Sequence, residues 1–173
     1  MGGGRYDGAT SASQLDTNPA DKTKDEAFSP RVGLVYQPLS WLALYGSYVE
    51  SFGAANAGLS RTGEAFDPET ATQYEAGLKT ELLDGKLSAT LAFYHLTKQN
   101  ILTADPVDPN FSVQTGEARS QGIEFDLSGE ITPSWSVIAS YAFTETEITK
   151  SSFGDEGSRL PGVPEHGGRV DSL

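Results

Sequence analysis

The chain has 173 residues, no cysteine, 19 glycines and a formal charge of −12. The missing thiols exclude disulfide frameworks, thiolate metal sites and thiol nucleophiles, and the acidic balance excludes a nucleic-acid surface, which needs clustered Lys and Arg. No apolar run approaches the roughly 18 residues of a membrane helix; a membrane β-barrel stays open, because its strands of about 10 residues are apolar only at alternate positions.

In chain order, residues 2–7 read as the tail of a strand, and the polar stretch 8–27, with Asn18-Pro19, as a long loop. The opening residues MGGGRYDGATSAS lack the apolar core of a signal peptide, so export would need a signal that this stretch does not carry. Over 31–37, Val32, Leu34 and Tyr36 alternate with Arg31, Gly33 and Gln37, the pattern of a strand with one greasy face; Val35 departs from it. Pro38-Leu39-Ser40 is a short turn, 41–52 a strand with Leu42, Leu44 and Tyr48 in register, and 53–69 a second long loop.

The strongest local signal is YEAGLKTELLDGKLSATLAF, residues 74–93. Tyr74, Ala76, Leu78 and Leu82 share one face and Glu75, Gly77, Lys79 and Glu81 the other; Leu87, Ala89, Leu91 and Phe93 repeat the pattern beyond Asp84-Gly85. Asp and Gly tolerate the positive φ of a type I′ turn, so this is a β-hairpin. Its second strand runs on to Asn100. Two prolines, Pro106 and Pro109, make 103–110 a third long loop, since proline lacks the donor a sheet interior needs. Further on the sequence predicts a bulge at Thr115-Gly116 and a strand carrying Ile123, Phe125 and Leu127. A short turn follows at 132–134, then a strand carrying Trp135, Val137, Ala139, Tyr141 and Phe143, then a fourth long loop over 147–161. Residues 162–173 begin a further segment that does not finish.

The expected fold is therefore all-β, an antiparallel meander of seven or eight strands with connections alternating long and short. A soluble β-sandwich would also alternate greasy and polar residues. Three features favour a membrane barrel instead. The loop asymmetry is systematic. Aromatics lie near strand ends, with Trp41 and Trp135 after short turns and Tyr48, Phe93, Tyr94, Tyr141 and Phe143 towards the long loops, as in interfacial girdles. The non-greasy face carries Glu75, Lys79, Glu81, Glu124 and Asp126 in mid-strand, which suits a lumen better than a packed core.

Several pieces in one order resemble the C-terminal half of TonB-dependent siderophore receptors: Pro68-Glu69, then Gln73-Tyr74-Glu75-Ala76-Gly77-Leu78-Lys79, then Lys98-Gln99-Asn100, then Ser120-Gln121-Gly122-Ile123-Glu124. The resemblance runs over about 29–164, with Gly3-Gly4-Arg5-Tyr6-Asp7 similar to a further strand upstream and residues after about Glu165 unlike the family. It implies a barrel of about 22 strands with a plugged lumen, set in the Gram-negative outer membrane and taking up ferric siderophores with TonB. Against that pattern, residues 1–173 are expected to be a partial barrel domain without a plug, not competent for transport alone, with TonB reached only through parts of a receptor missing here. Such a piece would have to close on itself, pair with other chains or aggregate, since open sheet edges are not tolerated in lipid. The alternatives are a self-contained small outer-membrane barrel, acting as an adhesin or structural protein, and a soluble β-sandwich binding module.

No enzyme chemistry emerges from the residues, and no cofactor is expected. His95 reads as an interfacial side chain and His166 as part of the unfinished tail; two lone histidines make no metal site. Asp105 and Asp108 lack EF-hand spacing and read as solvated loop acids. Glu75, Glu81, Glu124 and Asp126 read as lumen residues paired with Lys79 or Arg119. Ligand contact is assigned to loop-end aromatic and basic residues, Phe52, Arg61, Phe66, Phe111 and Arg119, whose ring faces and guanidinium groups suit an anionic iron chelate. The competing reading makes Phe52 and Phe111 girdle residues and Arg61 a solvated charge.

Overall fold

The structure is a computed structural model describing residues 2–12, 22–55, 60–63 and 66–172. Its elements are β1 (Gly2–Ala12), β2 (Lys22–Leu39), β3 (Leu42–Ala55), β4 (Pro68–Leu82), β5 (Leu87–Ala104), β6 (Ser112–Thr132), β7 (Trp135–Lys150) and β8 (His166–Ser172). They form one antiparallel sheet in chain order, each strand paired with its sequence neighbours, and β1 and β8 are its edges. Among the described residues no second sheet packs against it, so the sandwich expectation has no second layer. Nor do β1 and β8 pair with each other, as a self-contained eight-stranded barrel would require.

Connections alternate as the sequence predicts. Residues 40–41, 83–86 and 133–134 are the short turns; 13–21, 56–67, 105–111 and 151–165 are the long connections. The strands overshoot expectation on the long-loop side. Much of the stretch read as a loop over 8–27 is paired backbone, from Gly8↔Glu26 to Ala12↔Lys22. Likewise β3 reaches Ala55, β5 Ala104 and β7 Lys150. Hydrogen-bonded pairing needs no apolar side chain, so a ladder continues where both faces are polar and alternation vanishes. The final residues, expected only to begin a segment, form β8 against Val137–Phe143.

Asp84 (φ 55°) and Gly85 (φ 84°) sit in the left-handed region, and Lys86 N–H donates to the Leu83 carbonyl at 3.2 Å, closing the expected turn. The loop is longer than the two residues read from Asp-Gly: Leu83 is also left-handed (φ 52°) and the last strand pair is Leu82↔Leu87. The Thr115-Gly116 bulge is present. Ile101 pairs with Gly116 and Leu102 with Gln114, which leaves Thr115 as the extra residue. A second irregularity lies opposite, between Lys98 and Ile101, where Asn100 takes φ 60°.

This sheet has almost no packed interior. Among the described residues the buried apolar ones are Ala92, Ala118 and Val137, and no large side chain is fully buried. Its accessible surface is 11634 Å², against about 8,200 Å² for a compact monomer of this mass. Large apolar side chains contribute to that excess: Val32, Leu34, Tyr36, Leu44, Tyr74, Leu82, Phe93, Phe125 and Tyr141 are all exposed. They share one face. Cross-strand register sets Leu44, Leu78, Leu91, Phe125 and Tyr141 in one row, and Gly46, Ala76, Phe93, Ile123 and Phe143 in the next. Trp41 and Trp135 mark the short-turn rim of this band, and the tilted ring pair Tyr48–Tyr74, with centroids 5.0 Å apart, marks the other. Tyr141 lies in the middle row rather than at the rim. From Tyr74 to Leu82 the strand climbs about 26 Å, or about 20 Å along a barrel axis at the usual tilt, close to the height of an outer-membrane apolar band.

The opposite face is polar, and glycine shapes it. Tyr45 lies across Gly77, whose added Cβ would meet the Tyr45 ring at 2.8 Å and the Leu91 carbonyl at 2.5 Å. Tyr94 lies across Gly122 in the same way, with its hydroxyl 3.0 Å from Thr144 Oγ1. Tyr94 was expected in the girdle; strand alternation turns it instead to the polar face. Lys79 Nζ stands 5.4 Å from the centre of the Tyr45 ring, a cation–π contact.

Candidate functional site

The long-loop end gathers the chain's most elaborate polar structure. Residues 60–63 form a turn in which Gly63 N–H donates to the Ser60 carbonyl and Thr62 N–H to Ser60 Oγ. Asp67 is held to β6 by Gln114, whose Oε1 accepts from Asp67 N–H at 2.9 Å and whose amide nitrogen donates to the carbonyls of Asp67 and Asn100. Asn100 Nδ2 donates to the Pro68 carbonyl at 3.1 Å, so the left-handed bulge residue ties β5 to the start of β4. The 105–111 connection is closed by Asp105 N–H to the Phe111 carbonyl (2.9 Å) and Phe111 N–H to the Asp108 carbonyl (3.0 Å).

Between these connections lies a cleft of about 310 Å³ lined by Ser60, Arg61, Thr62, Phe66, Asp105, Ser112, Val113 and Gln114. Arg61 Nε is 3.3 Å from Asp105 Oδ2; the Asp105 side chain is 4% exposed and that of Arg61 53%. Asp105 Oδ1 also accepts from Val107 N–H at 2.8 Å. The expectation that Asp105 is a solvated loop acid is therefore wrong. Burial of a carboxylate requires a partner, and Arg61 and a backbone N–H supply it. Asp108 caps its own loop, accepting from Asn110 N–H and Nδ2.

The five residues assigned to ligand contact divide. Arg61 and Phe66 line the cleft together. Phe111 adjoins it through its carbonyl bond to Asp105. Phe52, on β3, pairs with Thr70 of β4 and shares the face of Leu44 and Tyr48. Arg119 sits on the same outward face above Ile123 and Phe125, in an ion pair with Glu147. Arg119 thus pairs with none of Glu75, Glu81, Glu124 or Asp126, contrary to one of the pairings expected above. Asp105, Ser112 and Gln114 also belong to the cleft, beyond the five residues that the sequence assigns to ligand contact. Two loops more than forty residues apart meet there, and no local pattern marks such a meeting.

Arg119 belongs to an outward polar belt on β5–β7 above the apolar band. His95 Nδ1 is 3.2 Å from Gln121 Oε1, and Gln121 Nε2 donates to Glu145 at 2.9 Å; His95 is interfacial, as expected. At the top of the belt Glu117 accepts from Lys150 (2.7 Å), Thr149 (2.8 Å) and Gln99 (3.0 Å). The bond from Lys150 is the main reason its carboxyl stays below the usual glutamate range. His166 opens β8, its Nδ1 2.9 Å from the Tyr141 hydroxyl. Among the described residues no cluster of three or more His, Cys, Asp or Glu could hold a metal ion.

A family model described as TonB dependent receptor-like, beta-barrel, matches residues 1–173. The chain is 41% identical over 170 residues to the metal-pseudopaline receptor CntO of Pseudomonas aeruginosa, covering 96% of this chain and 24% of that protein. It is 36% identical over 165 residues to the ferrichrome outer membrane transporter/phage receptor of Escherichia coli, covering 95% of this chain and 22% of that one. Its backbone superimposes on the alcaligin outer membrane receptor FauA of Bordetella pertussis with a TM-score of 0.77 at 22% identity, over 99% of this chain and 30% of that chain. The chain thus spans about a quarter of the length of the curated relatives it matches.

Proposed function

The chain belongs to the TonB-dependent receptor β-barrel family, and from that premise we propose that it forms a section of the wall of a receptor for uptake of ferric siderophores and related metal chelates. Barrels of this family lie in the Gram-negative outer membrane and are not enzymes. The apolar face therefore meets lipid, and Glu75, Lys79 and Glu124 face the barrel interior. Short turns lie at the periplasmic rim and long connections at the cell surface, as in other outer-membrane barrels.

The observation that carries the reading is a single open sheet with a bilayer-high apolar band on one face and ionisable residues on the other, in a chain whose relatives include receptors named for metal-pseudopaline and ferrichrome. The cargo is proposed by analogy with those relatives, and engagement of TonB is assigned to other parts of such receptors, which are about four times as long. Radioiron accumulation tests the reading. The whole receptor carrying this chain is expressed in a strain lacking its own siderophore receptors, with a panel of ferric chelates, with and without TonB. TonB-dependent accumulation from at least one chelate is expected; none from any chelate class would refute the proposal.

A further inference from the structure

We propose that the cleft lined by Arg61, Phe66, Asp105 and Gln114 is a carboxylate-binding subsite, in which Arg61, positioned by Asp105, grips one carboxylate arm of a metal chelate. The inference rests on the uptake reading above and adds the chemistry of the ligand to it.

Three observations carry it. First, among the described residues Arg61 is anchored on one side only. Asp105 Oδ2 takes its Nε at 3.3 Å, and the described residues supply no partner for its two Nη groups. A guanidinium held at Nε offers its Nη edge as a flat pair of donors, and that edge matches the two oxygens of a carboxylate. Second, the anchor cannot follow its partner. Asp105 is buried, and its other oxygen is fixed by the Val107 N–H within a loop closed by two backbone bonds. The side chain of Arg61, otherwise a flexible surface charge, is thereby pre-organised, and less entropy is lost when a ligand binds. Third, the surroundings suit a polar arm with a short carbon stem. Ser60, Thr62 and Ser112 contribute hydroxyl-bearing walls, Phe66 and Val113 the apolar ones, and about 310 Å³ is at the lower end of ligand-sized cavities. One arm of a chelate fits that space better than a whole complex.

The charge balance sharpens the prediction. Arg61 and Asp105 are together neutral and the chain carries −12, so nothing here draws anions from a distance. Selection must come from short-range bidentate hydrogen bonds. Replacing arginine by lysine, which keeps the charge and loses the fork, should therefore be nearly as harmful as removing it.

The test uses the full receptor that contains this chain, purified in detergent. Two probes are titrated, ferric citrate as a polycarboxylate complex and a neutral ferric trihydroxamate, with intrinsic tryptophan fluorescence as the readout. For ferric citrate, Arg61→Ala should weaken binding by roughly tenfold or more, Arg61→Lys by nearly as much, and Asp105→Asn, which keeps the cap on Val107 but releases the guanidinium, by about threefold. The trihydroxamate should change by less than about twofold in every variant, which also shows that the variants are folded. Equal losses for both probes would mean that the ion pair merely holds the loops together, and the proposal falls. No loss for ferric citrate overturns it as well. If the wild-type receptor accumulates iron only from neutral chelates, the subsite is refuted while the uptake function stands; if it accumulates iron from none, the uptake function itself falls.

Discussion

Leu78 sits midway between the two rims of the apolar band, four residues from Tyr74 and four from Leu82, in a row with Leu44, Leu91, Phe125 and Tyr141. Leu78→Arg would therefore place a guanidinium close to the bilayer midplane, about 10 Å from either interface, too far to reach headgroup water without tilting the strand. The expected destabilisation is about 2–4 kcal/mol, or roughly 30- to 700-fold in the folding equilibrium. Leu82→Arg, at the periplasmic rim beside Trp41, should cost only about 0–1 kcal/mol. Lys79, one position along, already faces the other way, so Lys79→Arg should change little apart from its contact with Tyr45. Guanidinium titration of the receptor in phospholipid vesicles, scored by protease resistance, measures all three. The gradient matters more than any one value. If Leu78→Arg and Leu82→Arg cost the same, or if Lys79→Arg is the worst of the three, the face assigned to lipid is wrong.

Other consequences follow from the same register. A nitroxide at Leu91 should relax faster with oxygen than with a water-soluble nickel chelate, and one at Thr90 the reverse; matching profiles at both sites would contradict the alternation. Gly122→Ala should destabilise by about 1–3 kcal/mol, because its Cβ would collide with the Phe143 carbonyl. Adding Tyr94→Ala should not restore stability, because the obstacle is backbone; full rescue in a denaturant titration would show that the ring alone blocks the site. Glu117 is held below its ordinary value of 4.5, chiefly by Lys150, so it binds protons less readily folded than unfolded. Its stabilisation is present above pH about 4.5 and lost as pH falls through the depressed value. Amide exchange at the surface end of β6 and β7 should rise on acidification below that range in the wild type. In Lys150→Met the rise should begin at higher pH; an unchanged profile would remove Glu117 from the account.

The parts of this fold that were legible in the sequence are those that lipid imposes. Alternation over 74–82 and 87–93, the Asp84-Gly85 turn and the tryptophans at two short turns each answer to a local rule, and all are present; Trp41 closes its turn where the sequence predicts it to open the strand. The overshoot of β1, β2, β3, β5 and β7 was illegible for the opposite reason: outside the bilayer a ladder can be polar on both faces. Phe52 and Arg119 are a different case. Counting by twos from Leu44 and from Ile123 puts both on the outward face, so alternation already placed them away from the interior. Residue type, read without that count, made them ligand contacts. The Arg61–Asp105 pair had no such signal. It joins two connections across β4 and β5, and only the register of those strands brings the loops together.

The free edges of the sheet set a last condition. β8 pairs on one side with Val137–Phe143 and presents its other side to nothing among the described residues, as β1 does at the far end. Seven residues of edge strand leave about six backbone groups unpaired, and in hydrocarbon each costs several kcal/mol. Two such edges exceed the 5–15 kcal/mol that a folded domain typically has in hand. The sheet is therefore stable in a membrane only when other strands cover β1 and β8. Residues 1–173 on their own, refolded into vesicles, should give a protease-sensitive product with no compact, heat-modifiable monomer band. Co-refolding with the remaining barrel strands of the receptor should restore protection of β7 and β8. A protease-resistant monomer of the 173-residue chain alone would require β1 and β8 to pair directly, closing an eight-stranded barrel, and would overturn the assignment of this sheet to the wall of a larger one.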